Sequence, residues 1–185
     1  MPNFLQHIVI FFKMAFFRIK EVKGKEYAYA VENKWKKGSK QKVIGYLGRA
    51  YRFEEENSIE FCSFFNINDL NPYLINNDKN KIIMDLIEWE FFKFGIDKAR
   101  FFIDLNNGKI QNNQKNAVFL INDGFMCGQT IKNLLGFKPD GDKQADGYRL
   151  ARAFVEAGIK VPQEVFVGIF GKLYKPESIK KDFEW

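Results

Sequence analysis

At 185 residues, with 46% hydrophobic and 17% aromatic side chains, the chain can bury a real core. That composition excludes disorder over the whole length and suits one domain, or a small module joined to a medium one. The net charge of +6 is not spread evenly: residues 18–52 hold eleven Lys/Arg against three acids, an excess of +8, so the remainder is slightly acidic.

Two cysteines, Cys62 and Cys127, lack any paired spacing, and His7 is the single histidine. This pattern gives neither a disulfide framework nor a zinc site, and no metal or cofactor is expected. Both cysteines read as small buried apolar groups in a reducing compartment. The 21 phenylalanines, with many Lys, Asn and Ile, reflect an AT-rich genome as readily as a function.

Residues 1–15 are read as an N-terminal extension. The apolar run 4–17 is broken by Gln6, His7 and Lys13 and is too short to span a bilayer, which takes about 20 apolar residues. It lacks the early positive charge and small-residue cleavage site of a signal peptide. Met14 serves as well as Met1 for a start. With no other candidate span, no membrane association and a cytoplasmic location are expected.

Residues 16–53 predict a basic three-stranded β module. The first strand covers 16–22, and Lys23-Gly24-Lys25 forms a turn. In the second, 26–35, strict alternation puts Tyr27, Tyr29, Val31 and Trp35 on one face and Ala28, Ala30, Glu32 and Lys34 on the other. Gly38-Ser39 turns the chain into a third strand, 41–47, closed by Gly48. A lone three-stranded sheet is marginal in water, so one face must pack on something. Glu54-Glu55-Glu56-Asn57 reverses the charge and reads as a linker.

The body, 58–174, predicts an α+β fold, a small antiparallel sheet covered by helices and ending in a helical hairpin. Its expected elements are a buried strand at 58–67, a loop at 68–80 with an Asn71-Pro72 turn, and a helix at 79–94 capped by Asp78 and stopped by Gly95. Strands follow at 100–105 and 117–121, the first turning at Asn106-Asn107-Gly108 into a return at 109–110. A short helix covers 127–135 and a solvated loop 138–146. Helices at 148–157 and 163–174 complete the body, the second entered through Pro162. Residues 175–185 read as a tail.

The positive cluster consists of Arg18, Lys20, Lys23, Lys25, Lys34, Lys36, Lys37, Lys40, Lys42, Arg49 and Arg52. Lys and Arg neutralise phosphates and release counterions, so a local excess of this size predicts contact with a nucleic-acid backbone. Tyr27, Tyr29, Trp35 and Tyr46 are candidates for stacking on unpaired bases. The competing reading makes the aromatics core and the lysines edge protection.

The segment KGKEYAYAVENKWKKGSKQKVIGYLGR resembles the N-terminal segment of DDE-type insertion-sequence transposases. The matching residues are Lys23-Gly24-Lys25, Tyr27, Tyr29, Val31-Glu32, Gln41-Lys42-Val43 and Tyr46-Leu47-Gly48-Arg49. That resemblance implies a small DNA-contacting β module and favours DNA over RNA. It covers about a fifth of the chain and ends near Phe53, and no Asp, Asp, Glu triad follows. It implies binding without transposition. The chain as a whole resembles archaeal proteins of this size.

Asp85, Glu88, Glu90, Asp104 and Asp123 are the acids from which a metal-dependent nuclease would have to be built. Asp104 is followed by Leu-Asn-Asn-Gly, which is turn chemistry, and no catalytic residue is assigned. The C-terminal helices are too poor in polar residues for a base-reading helix-turn-helix, since the second offers only Gln163, Glu164 and Lys172. Their apolar stripe suits a core hairpin, or docking to a protein partner or second copy. Gly124, Gly128 and Gly136 lack the Lys-Ser/Thr of a phosphate loop.

Overall fold

The computed structural model describes residues 15–35 and 39–174, so the expected N-terminal extension and the tail lie outside the described residues save for Ala15. Three strands open the fold: β1 (Ala15–Val22), β2 (Lys25–Trp35) and β3 (Ser39–Arg52). Lys23 and Gly24, both at positive φ, make the two-residue connection whose twist suits antiparallel strands.

The expected three-stranded sheet does not stand alone. β3 runs on past Gly48 and pairs in parallel with β6 (Lys115–Ile121), Arg49 opposite Ala117 and Arg52 opposite Leu120. A mixed seven-stranded sheet results, in the order β1-β2-β3-β6-β5-β4, with β5 at Lys109–Asn112 and β4 at Phe102–Asp104. A seventh strand not foreseen from sequence, β7 (Gly124–Met126), hairpins onto β6 through Asn122 and Asp123, both at positive φ.

Gly48 is the reason β3 does not stop where sequence puts its end. Its φ of 145° is open only to glycine, and a Cβ there would stand 2.4 Å from the carbonyl oxygen of Asn116. The missing side chain lets β6 close against β3. Two register shifts against β2, at Leu47 and Ile44, bend the strand as it approaches this point.

The helices depart from expectation in two regions. Residues 58–67 form no strand; Phe61–Phe64 is a single helical turn, α1. The expected loop contains α2 (Leu70–Asn76), started by the Asp69 carboxylate, which accepts from the Asn71 N–H. Pro72 sits in the first turn, where its missing N–H costs nothing. α3 (Lys79–Lys93) starts on the Asp78 cap, which accepts from the Lys81 N–H, and ends at Gly95 with φ 57°. α4 (Gly128–Leu135) follows β7. α5 (Lys143–Glu156) begins inside the expected solvated loop, and Asp146 is fully buried. α6 (Gln163–Lys172) packs on α2 and α3 and also touches α5, Phe166 meeting Phe154 and Phe170 lying over Gly147. Gly168 permits the close approach to Leu74 of α2.

Alternation along β6 divides the apolar interior. Ala117, Phe119 and Ile121 face the larger core with Phe91, Leu86 and Ile87 of α3. Val118 faces a small second cluster with Ala28, Cys127, Ile19, Leu47, Leu120 and Phe125. Phe17 of β1 meets Phe125 of β7 at 5.4 Å between ring centroids, so the sheet curls over this second cluster.

Glu90 joins three elements inside the larger core. One carboxylate oxygen accepts from the Lys160 N–H at 2.9 Å. The other accepts from Asn122 Nδ2 at 2.9 Å and from Lys93 Nζ at 3.0 Å. Burial pushes the Glu90 carboxyl above its ordinary range, against the pull of these partners. No described helix is long and apolar enough to cross a membrane.

Candidate nucleic-acid interface

Strand register determines which predicted residues meet. β1 pairs with β2 so that Lys20 lies opposite Tyr27 and Arg18 opposite Tyr29. β2 pairs with β3 so that Tyr27 lies opposite Arg49 and Tyr29 opposite Tyr46. Directly opposed residues share a face. Two cross-strand rows therefore lie side by side, Lys20–Tyr27–Arg49 and Arg18–Tyr29–Tyr46. Arg49 alternates with Tyr51, which packs on the larger core, so the rows continue that core-bearing face outward along the ribbon.

Arg18 and Lys20 are exposed, Tyr27, Tyr29 and Arg49 half-buried, and Tyr46 is 52% exposed. The three tyrosines form one cluster, with Tyr46 at 5.5 Å from Tyr29 and 6.4 Å from Tyr27. Burial and the neighbouring tyrosines raise the Tyr46 hydroxyl pKa, so the ring is neutral near pH 7. On β2 the buried residues are Ala28, Val31 and Glu32.

The other predicted cations are placed differently. Lys23 and Lys25 are exposed at the β1–β2 turn. Lys42 is exposed opposite Glu32, on the reverse face. Arg52 is exposed but grips Glu26 in a bidentate pair at 2.8 and 2.7 Å, and that hydrogen-bonded partner holds the Glu26 carboxyl below its usual range. Lys36 and Lys37 lie outside the described residues, as do the side chains of Lys34, Trp35 and Lys40.

Two clefts adjoin the ribbon. The larger, about 530 Å³, lies between β1 and β7. It has Ile19, Leu120 and Phe125 among its walls, with Glu54, Glu55, Asp123 and Arg52 beside them. The smaller, about 270 Å³, opens beside Tyr46 and is lined by Lys109, Gln111, Asn116, Gln129 and Lys132. Sequence reading did not find this group. Its members come from β5, β6 and α4, and each is an ordinary surface residue in its own segment.

The acids considered for a nuclease are engaged elsewhere or dispersed. Asp85 accepts from Tyr73 and Lys81, Glu88 from Lys98, and Asp104 from Asn107. Glu90 is buried as described, and Asp123 lines the larger cleft. Among the described residues no group of three or more His, Cys, Asp or Glu is placed to hold a metal ion. Cys127 and Cys62 are free, and burial pushes the Cys127 thiol up, the reverse of a reactive thiolate.

No protein-family model, curated protein or solved structure matches this chain.

Proposed function

We propose that the protein is a cytoplasmic nucleic-acid-binding protein that contacts the phosphate backbone through the basic ribbon β1–β3. The observation that carries this reading is the pair of cross-strand rows, in which exposed cations and tyrosine rings share one face. Edge protection accounts for charge on the edge strand β1, where Arg18 and Lys20 lie, but not for Arg49, which sits opposite Tyr27 on the interior strand β3. The resemblance to transposase N-terminal segments favours DNA over RNA. No catalytic step is part of the proposal.

The test is the salt dependence of binding. Each phosphate neutralised on duplex DNA contributes about 0.9 to the slope of log affinity against log salt. Replacing Arg18, Lys20, Lys23 and Lys25 together by Ala should reduce that slope by up to about 3.6. Equal binding by the variant and the wild type would sink the proposal.

A second reading rests on a different surface. Tyr148 and Val155 of α5 are 70% and 66% exposed, and Val167 of α6 is 61% exposed. These apolar side chains favour a protein-interaction subunit that docks a partner or a second copy through its C-terminal helices. Size-exclusion chromatography with light scattering checks it: a stable dimer lost on Val155→Glu supports this reading, and a monomer that retains no partner removes it.

A further inference from the structure

We infer that the cleft beside Tyr46 seats one unpaired nucleotide of a single strand crossing the ribbon, with its base against the Tyr46 ring and its phosphate on Lys109 and Lys132. This rests on the nucleic-acid reading above and narrows it to single strands and to one pocket.

The pocket is built by close backbone contact. Gly108, at φ 54°, ends the β4–β5 turn, and a Cβ there would meet Lys132 Cγ at 2.6 Å. At Gly128 a Cβ would meet the carbonyl oxygen of Gly108 at 2.5 Å. The turn is therefore pressed onto the start of α4, and the stem of Lys132 lies across it. The ammonium groups of Lys109 and Lys132 belong to exposed side chains at the same cleft.

Charge decides between the two clefts. The smaller one is lined by two lysines and no carboxylate. The larger one is lined by Glu54, Glu55 and Asp123 against Arg52, and Arg52 is paired with Glu26. A polyanion is repelled by the second and drawn to the first. Gln111, Asn116 and Gln129 add amide donors and acceptors suited to a base edge. At about 270 Å³ the cleft falls just below the roughly 300–1,000 Å³ of drug-sized ligand sites, which suits one nucleotide.

Tyr46 decides for a single strand. Tyr46 lines the cleft, is 52% exposed, and is flanked on the same face by Tyr29 and Tyr27. A base inside a duplex is already stacked on its neighbours and cannot reach a ring in such a recess. An unpaired base can, and stacking of this kind tolerates any base.

The experiment is fluorescence anisotropy with labelled oligo-dT, oligo-U and a duplex of equal length, read across a salt series. Either single strand should bind more tightly than the duplex. Tyr46→Ala should weaken single-strand binding by roughly 5- to 150-fold, with Tyr46→Phe close to wild type. The Lys109→Ala/Lys132→Ala double variant should reduce the single-strand salt slope by about 0.7, one phosphate's worth. Circular dichroism confirms the fold of each variant. Tighter binding to duplex overturns the inference. So does unchanged single-strand binding by both Tyr46→Ala and the double-lysine variant; if Arg18→Ala/Lys20→Ala then still weakens binding, the ribbon reading survives without the pocket. Failure of all three probes to bind at low salt overturns the ribbon reading itself.

Discussion

Replacing Gly48 by Ala tests whether β3 and β6 are locked together at this glycine. A side chain at φ 145° occupies a region essentially reserved for glycine, at a cost of about 1–3 kcal/mol. The new methyl would also stand 2.4 Å from the Asn116 oxygen and 2.6 Å from its carbonyl carbon. Both are backbone atoms of the paired strand and cannot swing aside. Forcing such overpacking costs about another 1–3 kcal/mol. The sum, about 2–6 kcal/mol, is a large part of the roughly 5–15 kcal/mol that holds a domain together. Gly45 is the internal control, since a Cβ there meets only Ala30 Cβ at 4.0 Å. With an m-value of roughly 2 kcal/mol/M, Gly48→Ala should lower the urea midpoint by about 1–3 M, and Gly45→Ala should shift it by less than about 0.3 M. Equal midpoints for the two variants would refute the reasoning.

Three further outcomes concern the buried Glu90 and Asp146 and the exposed Gly171. Glu90→Gln leaves Lys93 without its buried countercharge and turns an amide donor toward other donors; denaturant melts should show a loss of about 3–5 kcal/mol, partly restored by adding Lys93→Met. Burial pushes the Asp146 carboxyl up, but hydrogen bonds from Tyr174, the Asp140 N–H, Arg149 and the Gly141 N–H outweigh it and hold the group below its usual range. The folded state then binds that proton less readily than the unfolded chain, so this stabilisation is present above about pH 4 and lost as pH falls further. Asp146→Asn should flatten the stability-against-pH curve in that acid range, measured by urea midpoints. Gly171 of α6 has open space where a Cβ would go, so Gly171→Ala should stabilise the fold by about 0.5–1 kcal/mol in the same assay.

Sequence made the local features legible. Alternation in 26–35 marks β2, Lys23-Gly24 marks the first turn, and Asp78 with Gly95 brackets α3. The misread regions share a cause, the weighing of a residue type without its neighbours. Phe61, Phe64 and Phe65 are spaced for one helical turn, yet the aromatic run looks like a strand. Asn71-Pro72 looks like a turn, but Pro is permitted in a first helical turn. Gly48 looks like a stop because its positive φ is invisible until β6 is beside it. The same limit hid the cleft at Tyr46. Charge density alone marked Arg18, Lys20 and Arg49, but no local pattern ties Lys109 to Lys132 or either to Tyr46. Pairing over long separations decided which cations and rings share a face.

The parallel pairing of β3 with β6 also governs when the ribbon can finish folding. β1 and β2 join by a two-residue turn and can zip early, because closing a short loop costs little entropy. Residues 49–52 must wait for 117–120, after α1, α2, α3, β4 and β5 have all been laid down between them. A contact of that sequence separation forms late and slowly. Until it forms, the end of β3 is an open edge on a strand that already carries Val43, Ile44 and Tyr46 exposed. The lysine-rich character of the ribbon then has a second consequence, mutual repulsion between unfinished chains, which keeps open edges apart during that wait.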